Sequence, residues 1–138
     1  MSDFLKRLKA EDQGLMSKIV KLKNFINDKD GAYSTLDDIN KYLLRKQLYT
    51  MMNYLTALML RINYIEGKDD EIKNLFEGYN LKMIPHNETD TNEVFEIKES
   101  ARNLINDISI YGKNPRRVAI ANTHIEEACM MGVKSLFT

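Results

Sequence analysis

The sequence predicts a mainly α protein: a long, coiled-coil-like antiparallel helical hairpin with a short N-terminal helix and an irregular α/β insertion. Three observations carry that prediction. Leu44, Leu48, Met51, Leu55, Leu58 and Ile62 recur at alternating spacings of four and three residues, the heptad seam of a coiled coil. No Gly or Pro interrupts this stretch before Gly67, so one helix is expected over about 35–66. A second seam, Val118, Ala121, Ile125, Ala128, Gly132 and Leu136, has the spacing of a narrow helical stripe in the last part of the chain.

Each element follows in order. Leu15, Ile19, Leu22 and Ile26, with Val20 and Phe25 beside them, predict a first helix over about 11–28, and the run Asn27-Asp28-Lys29-Asp30-Gly31 ends it. Ser34 with Asp37, or Thr35 with Asp38, resembles a capping box at the start of the second helix. A helix of about thirty residues spans roughly 45–50 Å, too long for the short first helix to cover. The helix starting at Pro115 is its natural partner. Between them, Asp69 to Phe76 predict a short helix stopping at Gly78. Leu81 and Met83 could pair as strands with Phe95 and Ile97 around the polar run His86–Asn92. Ala101, Leu104, Ile105 and Ile108 read as a helix that ends at Gly112, placed as a C′ glycine. The chain therefore reads as a single helical domain over 1–138, with 67–112 as an insertion between the two hairpin helices.

Composition narrows the function. The chain has 138 residues, enough for one domain with a buried core, and its twenty basic residues balance twenty acidic ones. No global field recruits DNA, RNA or a membrane surface. Lys6, Arg7, Lys9, Lys18, Lys21 and Lys23 make the N-terminal stretch locally basic, which reads first as the wet side of a helix. The single cysteine, Cys129, excludes an internal disulfide and fits a reducing compartment. Beside an apolar seam it is expected to be buried and inert. No stretch is long and apolar enough to span a bilayer, and the N-terminus has no signal-peptide pattern. The expectation is a soluble, intracellular protein.

The chain has no Gly-rich phosphate loop, GxSxG or HExxH. His86 and His124 lack companions at metal-ligand spacing. The carboxylates at 37, 38 and 69–71 read as cap and first-turn residues. We expect no enzyme, no metal and no cofactor.

The stretch from Asn114 to Met131 carries the most specific chemistry. Asn114 is a good N-cap and Pro115 a good first helical residue. Arg116 and Arg117 then occupy a first turn that disfavours cations by roughly 0.3–1 kcal/mol. Backbone N–H groups and guanidinium forks together are what a phosphate needs. Opposite the seam, Arg116, Thr123, Glu127 and Met130 fall on one strip, edged by Ile120 and Met131. Such a strip suits a second contact surface, against another subunit, with polar groups inside it.

Pro115, Arg116, Ala121, Thr123, Ile125, Glu126, Glu127, Ala128 and Met130 resemble the signature helix of the phage anti-CBASS cyclic-nucleotide sponges. Those proteins share a helical-hairpin domain with the Thoeris anti-defence sponges. Met131 stands where that family usually has an aromatic residue. Upstream, Leu22, Phe25, Ile26, Leu43, Leu44, Gln47, Met51 or Met52, Tyr54, Leu58, Arg61 and Ile62 are also similar to it. The resemblance covers about residues 14–65 and 113–137. It implies capture of cyclic di- or trinucleotides without degradation, in a homo-oligomer, commonly a hexamer, with pockets between subunits. Its implied ligand contacts are Arg116, Arg117 and Thr123, with Lys21 and Tyr33 for a separate dinucleotide pocket. Its implied location is the cytoplasm of the infected host cell. The rival reading is a helical interaction factor with no small ligand, which the seams, the methionine pairs and the spare apolar face would serve equally well.

Overall fold

The computed structural model describes residues 2–68 and 83–137. They form four α-helices and one 3₁₀ turn: α1 (Asp3–Asn27), the turn (Ala32–Thr35), α2 (Asp38–Ile65), α3 (Asn92–Tyr111) and α4 (Pro115–Ser135). Among the described residues there is no strand, so the expected α/β insertion is corrected to helix. The expected helix over 69–76 and the role of Leu81 lie outside the described residues. The chain divides into two compact units, Met1–Ile72 and Lys73–Thr138, each containing one helical hairpin.

In the first unit α1 packs along α2. Leu5 and Leu8, at the start of α1, share a core with Leu58 and Ile62, at the end of α2. Lys9 bridges to Glu66 at 3.2 Å, so the two helices run antiparallel. On α1, Leu5, Leu8, Asp12, Leu15, Ile19, Leu22 and Ile26 are buried or half-buried at heptad spacing, with Lys9 half-buried beside them. On α2 the expected seam is the observed one: Leu44, Leu48 and Met51 are half-buried, and Leu55, Leu58 and Ile62 are buried.

The first helix is not short. It begins at Asp3, where Ser2 Oγ accepts from Leu5 N–H at 3.2 Å. Its 25 residues reach about 37 Å, against about 42 Å for the 28 residues of α2. That length is why α2 finds its partner in α1, where the sequence pointed to the Pro115 helix. Asp12 hid the extension, because a carboxylate interrupts the apolar stripe between Leu8 and Leu15. The proposed capping boxes are also corrected. Asp37 caps α2 by accepting from Asn40 N–H at 2.8 Å, while Ser34 and Thr35 donate to the carbonyls of Gly31 and Ala32 inside the 3₁₀ turn. Helix α2 ends in a Schellman arrangement at Gly67, whose φ is 76°, with Lys68 N–H donating to Asn63 O at 2.9 Å.

In the second unit α3 packs along α4. Thr91 caps α3 through Val94 N–H. Phe95 and Ile97, expected in a strand, lie in its first turns, because Val94, Ile97, Ala101 and Ile105 keep helical spacing. The core joins Ile84, Ala101, Ile105 and Cys129, with Met83, Ile97, Ile125 and Val133 against it. The α4 seam is broader than expected: Val118, Ala121, Ile125 and Gly132 are half-buried as predicted, but the deepest positions lie beside them. Asn122 and Cys129 are buried, whereas Ala128 and Leu136 are exposed. Gly112 ends α3 with φ −67°, so left-handed freedom is not its reason. A methyl group there would collide with the Val118 side chain and the Ile108 carbonyl; glycine is needed for close approach.

Candidate functional site

The strip on α4 is built by its own backbone. Asn114 Oδ1 accepts from Arg117 N–H at 3.2 Å, and Pro115 occupies the first turn, which holds no acidic residue. The tight junction at Gly112 sets where α4 starts relative to α3. Two turns on, Asn122 is 1 % exposed and donates from Nδ2 to Ser109 Oγ at 3.3 Å. Ser109 in turn donates to Ile105 O at 2.8 Å. With Asn122, Ile125 and Cys129 turned towards α3, the opposite face of α4 is forced outward.

That outward face is the one read from the sequence. Arg116, Arg117, Thr123 and Glu127 are exposed, as are Ile120 (48 %), Met130 (54 %) and Met131 (65 %). Neither arginine is in an ion pair among the described residues. Thr123 Oγ1 donates to Ala119 O at 3.0 Å, which leaves its lone pairs outward. His124 Nδ1 lies 3.6 Å from Glu127 Oε2 on the same surface. The arrangement offers two guanidinium forks, a hydroxyl and thioether surface along one helix.

Lys21 and Tyr33 lie in the first unit, and no hydrogen bond or cation–ring contact joins them. Lys21 is exposed on α1. Tyr33 is buried in the 3₁₀ turn, where its hydroxyl accepts from Arg45 Nε at 2.9 Å. Phe25 meets its ring edge-on at 6.1 Å between centroids, and Lys41 Nζ stands 5.8 Å from the ring centre. The tyrosine therefore pins the α1–α2 connection. Lys41 and Arg45, four residues apart on α2, are the cations sequence reasoning missed here. Their i, i+4 spacing was a usable signal.

A further feature escaped the sequence entirely. In the second unit a cleft of about 380 Å³ is walled by Met83, Ile84, Cys129, Met130 and Val133, with Lys98 and Glu126 on its rim. Arg102, only 3 % exposed, fastens the Met83–Pro85 segment by donating to Ile84 O at 3.0 Å while Glu99 accepts from its Nε and Nη2. Burial raises the Cys129 thiol above its ordinary 9.0, against the opposing pull of Lys98 and Arg102, so the thiolate is disfavoured. Among the described residues no cluster of three or more His, Cys, Asp or Glu could hold a metal ion. Among the described residues no helix is long and apolar enough to cross a membrane.

A family model described as Sequestin matches residues 2–64. No curated protein and no solved structure matches the chain. The match includes the upstream residues, Leu22 to Ile62, on which the sponge resemblance partly rests, and stops before α3 and α4. Residues 2–64, nearly the whole of the first hairpin, carry the sequence pattern of the Sequestin family.

Proposed function

We propose that this protein binds cyclic oligonucleotide second messengers and sequesters them unchanged, blocking CBASS-type immunity in the cytoplasm of an infected host cell. The observation that carries the reading is the Sequestin match over residues 2–64, a family name that denotes sequestering. The exposed strip of α4 supports it independently. A cyclic di- or trinucleotide carries one charge per phosphate and flat base faces. Arg116 and Arg117 meet phosphates, Thr123 meets ring edges, and Met130 offers a polarisable surface for a base. Lys21 serves as a further cation on the first hairpin. Tyr33, being buried, acts there by holding Lys41 and Arg45 in place.

In this reading the protein is a homo-oligomer, with a hexamer as the assembly the sponge resemblance implies. Symmetry repeats the Arg116–Thr123 strip around the ligand. The protein is no enzyme: nothing needs to be broken for a signal to be withdrawn. A second reading, a helical interaction factor with no small ligand, is favoured by the exposure of Ile120, Met130 and Met131.

Thermal melting against a panel of cyclic di- and trinucleotides separates the two. A ligand at a hundredfold excess over Kd adds about 2.7 kcal/mol if it binds only the folded state. Chromatography of the ligand released after denaturation should then return it unchanged. A flat melt across the panel supports the interaction factor, and linearised product growing with time and protein makes the protein a nuclease.

A further inference from the structure

The cleft of the second unit has a wall that is bolted in place. Arg102, itself buried, donates to Ile84 O at 3.0 Å, and Lys98 donates to Pro85 O at 3.3 Å. Apolar interiors close up to crystal-like density where nothing prevents it. Here a buried guanidinium sets where the Met83–Pro85 segment stands, and about 380 Å³ remains between that segment and Cys129, Met130 and Val133 of α4. Small-molecule sites run from roughly 300 to 1,000 Å³, so the cleft is the size of a small ligand.

Its surface is of two kinds. The walls are thioether, thiol and branched aliphatic, from Met83, Ile84, Cys129, Met130 and Val133. Methionines adapt their shape to an apolar body. The rim carries charge at Lys98, Lys134 and Glu126. Lys98 is the best placed of these, with its side chain 17 % exposed. An ammonium has three donors. Asp90 takes one at 2.7 Å and Pro85 O a second, which leaves one unused among the described residues. Lys98 and Arg102 both draw the Cys129 thiol towards its anion, so they make the cleft floor attractive to negative charge although Asp90 and Glu99 pair with them. Glu126, on the same rim, repels a second negative charge.

We infer that the cleft binds a small amphiphile with an apolar body and a single anionic head, the body against the methionines and Val133 and the head on Lys98. A polyanion such as a cyclic nucleotide is a poor match for this rim. The inference therefore goes beyond the α4 strip and stands or falls apart from it.

Methionine-methyl NMR of the full chain, titrated with decanoate below its micelle concentration, tests it. The methyls of Met83 and Met130 should shift and saturate together, while those of Met16, Met52 and Met59 in the first hairpin stay still. Met83 is the decisive reporter, because Met130 also belongs to the α4 strip. Decanol has the same body without the charge and should bind about ten- to a hundredfold more weakly, the worth of one charged hydrogen bond. Val133→Trp fills the cleft and leaves Arg116 and Thr123 untouched. It should abolish the Met83 shift with helicity by circular dichroism unchanged. Shifts that spread to the first hairpin or fail to saturate, decanol binding as tightly as decanoate, or a folded Val133→Trp that binds as before would each overturn the inference. Should Val133→Trp lose its fold, the comparison of decanoate with decanol on the wild type decides alone.

Discussion

The two hairpins pair their helices through seams of different character. The α1–α2 seam is aliphatic at every position except Asp12, and its side-chain bonds, such as Lys9 to Glu66, lie at the periphery. The α3–α4 seam puts polar groups at its centre. Asn122 is among its most buried side chains, and Arg102 reaches through the core to the Ile84 carbonyl. An aliphatic heptad is strong but permissive, since any register that keeps the stripe inside is nearly as good. A buried Asn–Ser bond is weaker and more selective, because a slip leaves both groups unsatisfied. The second hairpin therefore fixes the rotation of α4, and with it which residues α4 shows to solvent. The first hairpin leaves apolar stripes on its outside and invites further packing.

The largest expected effects come from truncating each core. Leu58 and Ile105 are both fully buried, and Leu58→Ala or Ile105→Ala should each cost about 2–5 kcal/mol in denaturant unfolding. Hydrogen exchange should then rise mainly in α1 and α2 for the first variant, and in α3 and α4 for the second. Uniform loosening of all four helices by either variant would break the contrast between the hairpins. Arg102→Ala should come next. It strips Ile84 O of its partner, while Glu99, about half-exposed, can rehydrate. A loss of about 1–3 kcal/mol is expected, with fast amide exchange confined to residues near Met83–Pro85.

Asn122→Leu sharpens the comparison in the opposite direction. Its Oδ1 has no hydrogen-bond partner among the described residues, so removing the amide should leave stability unchanged or raise it by up to about 1 kcal/mol. The cost should appear as doubled NMR resonances along α4, where the register is no longer unique. A single sharp set of resonances would show that packing alone sets the register.

Two titrations give the smallest effects. Tyr54 donates to the Glu11 carboxylate, and that bond, with slight desolvation and the negative charge, raises its phenol above 10.0. The folded state holds the proton more tightly. Its contribution is complete below pH 10 and fades as pH rises through the folded-state value. Tyr54→Phe should abolish that part of the alkaline destabilisation. Cys129 follows the same sign from its ordinary 9.0. Its reaction with a thiol reagent at pH 8 should be slow in buffer and fast in denaturant.

How much of this was legible in the sequence follows the same contrast. The α2 seam from Leu44 to Ile62 could be read residue by residue, because an uninterrupted aliphatic heptad has one meaning. The start of α1 could not, since Asp12 breaks the stripe although the helix continues through it. Phe95 and Ile97 were open to a strand reading because a short apolar pair has no period of its own; only Thr91 and the spacing on to Ile105 decide. The α4 strip was legible because Asn114 and Pro115 announce a helix start and the arginines have no local reason to be there. Tyr33 was not, because its burial depends on Phe25, Lys41 and Arg45 closing around it. The Met83–Val133 cleft depends on the Met83–Pro85 segment meeting α3 and α4, which no local pattern records.

The central claim, capture of an intact cyclic nucleotide by the α4 strip, is tested most directly by isothermal titration of wild type and Arg116→Ala with cyclic di- and trinucleotides. A charged hydrogen bond contributes roughly 1.5–3 kcal/mol, so the variant should bind about ten- to a hundredfold more weakly. Its ligand-free melting temperature should stay level or rise slightly, since Arg116 opposes the helix dipole. Tight binding by the wild type, lost in the variant with stability intact, is the result this account expects. A wild type that binds none of these ligands contradicts the function, and a variant that binds as before but melts lower contradicts the site.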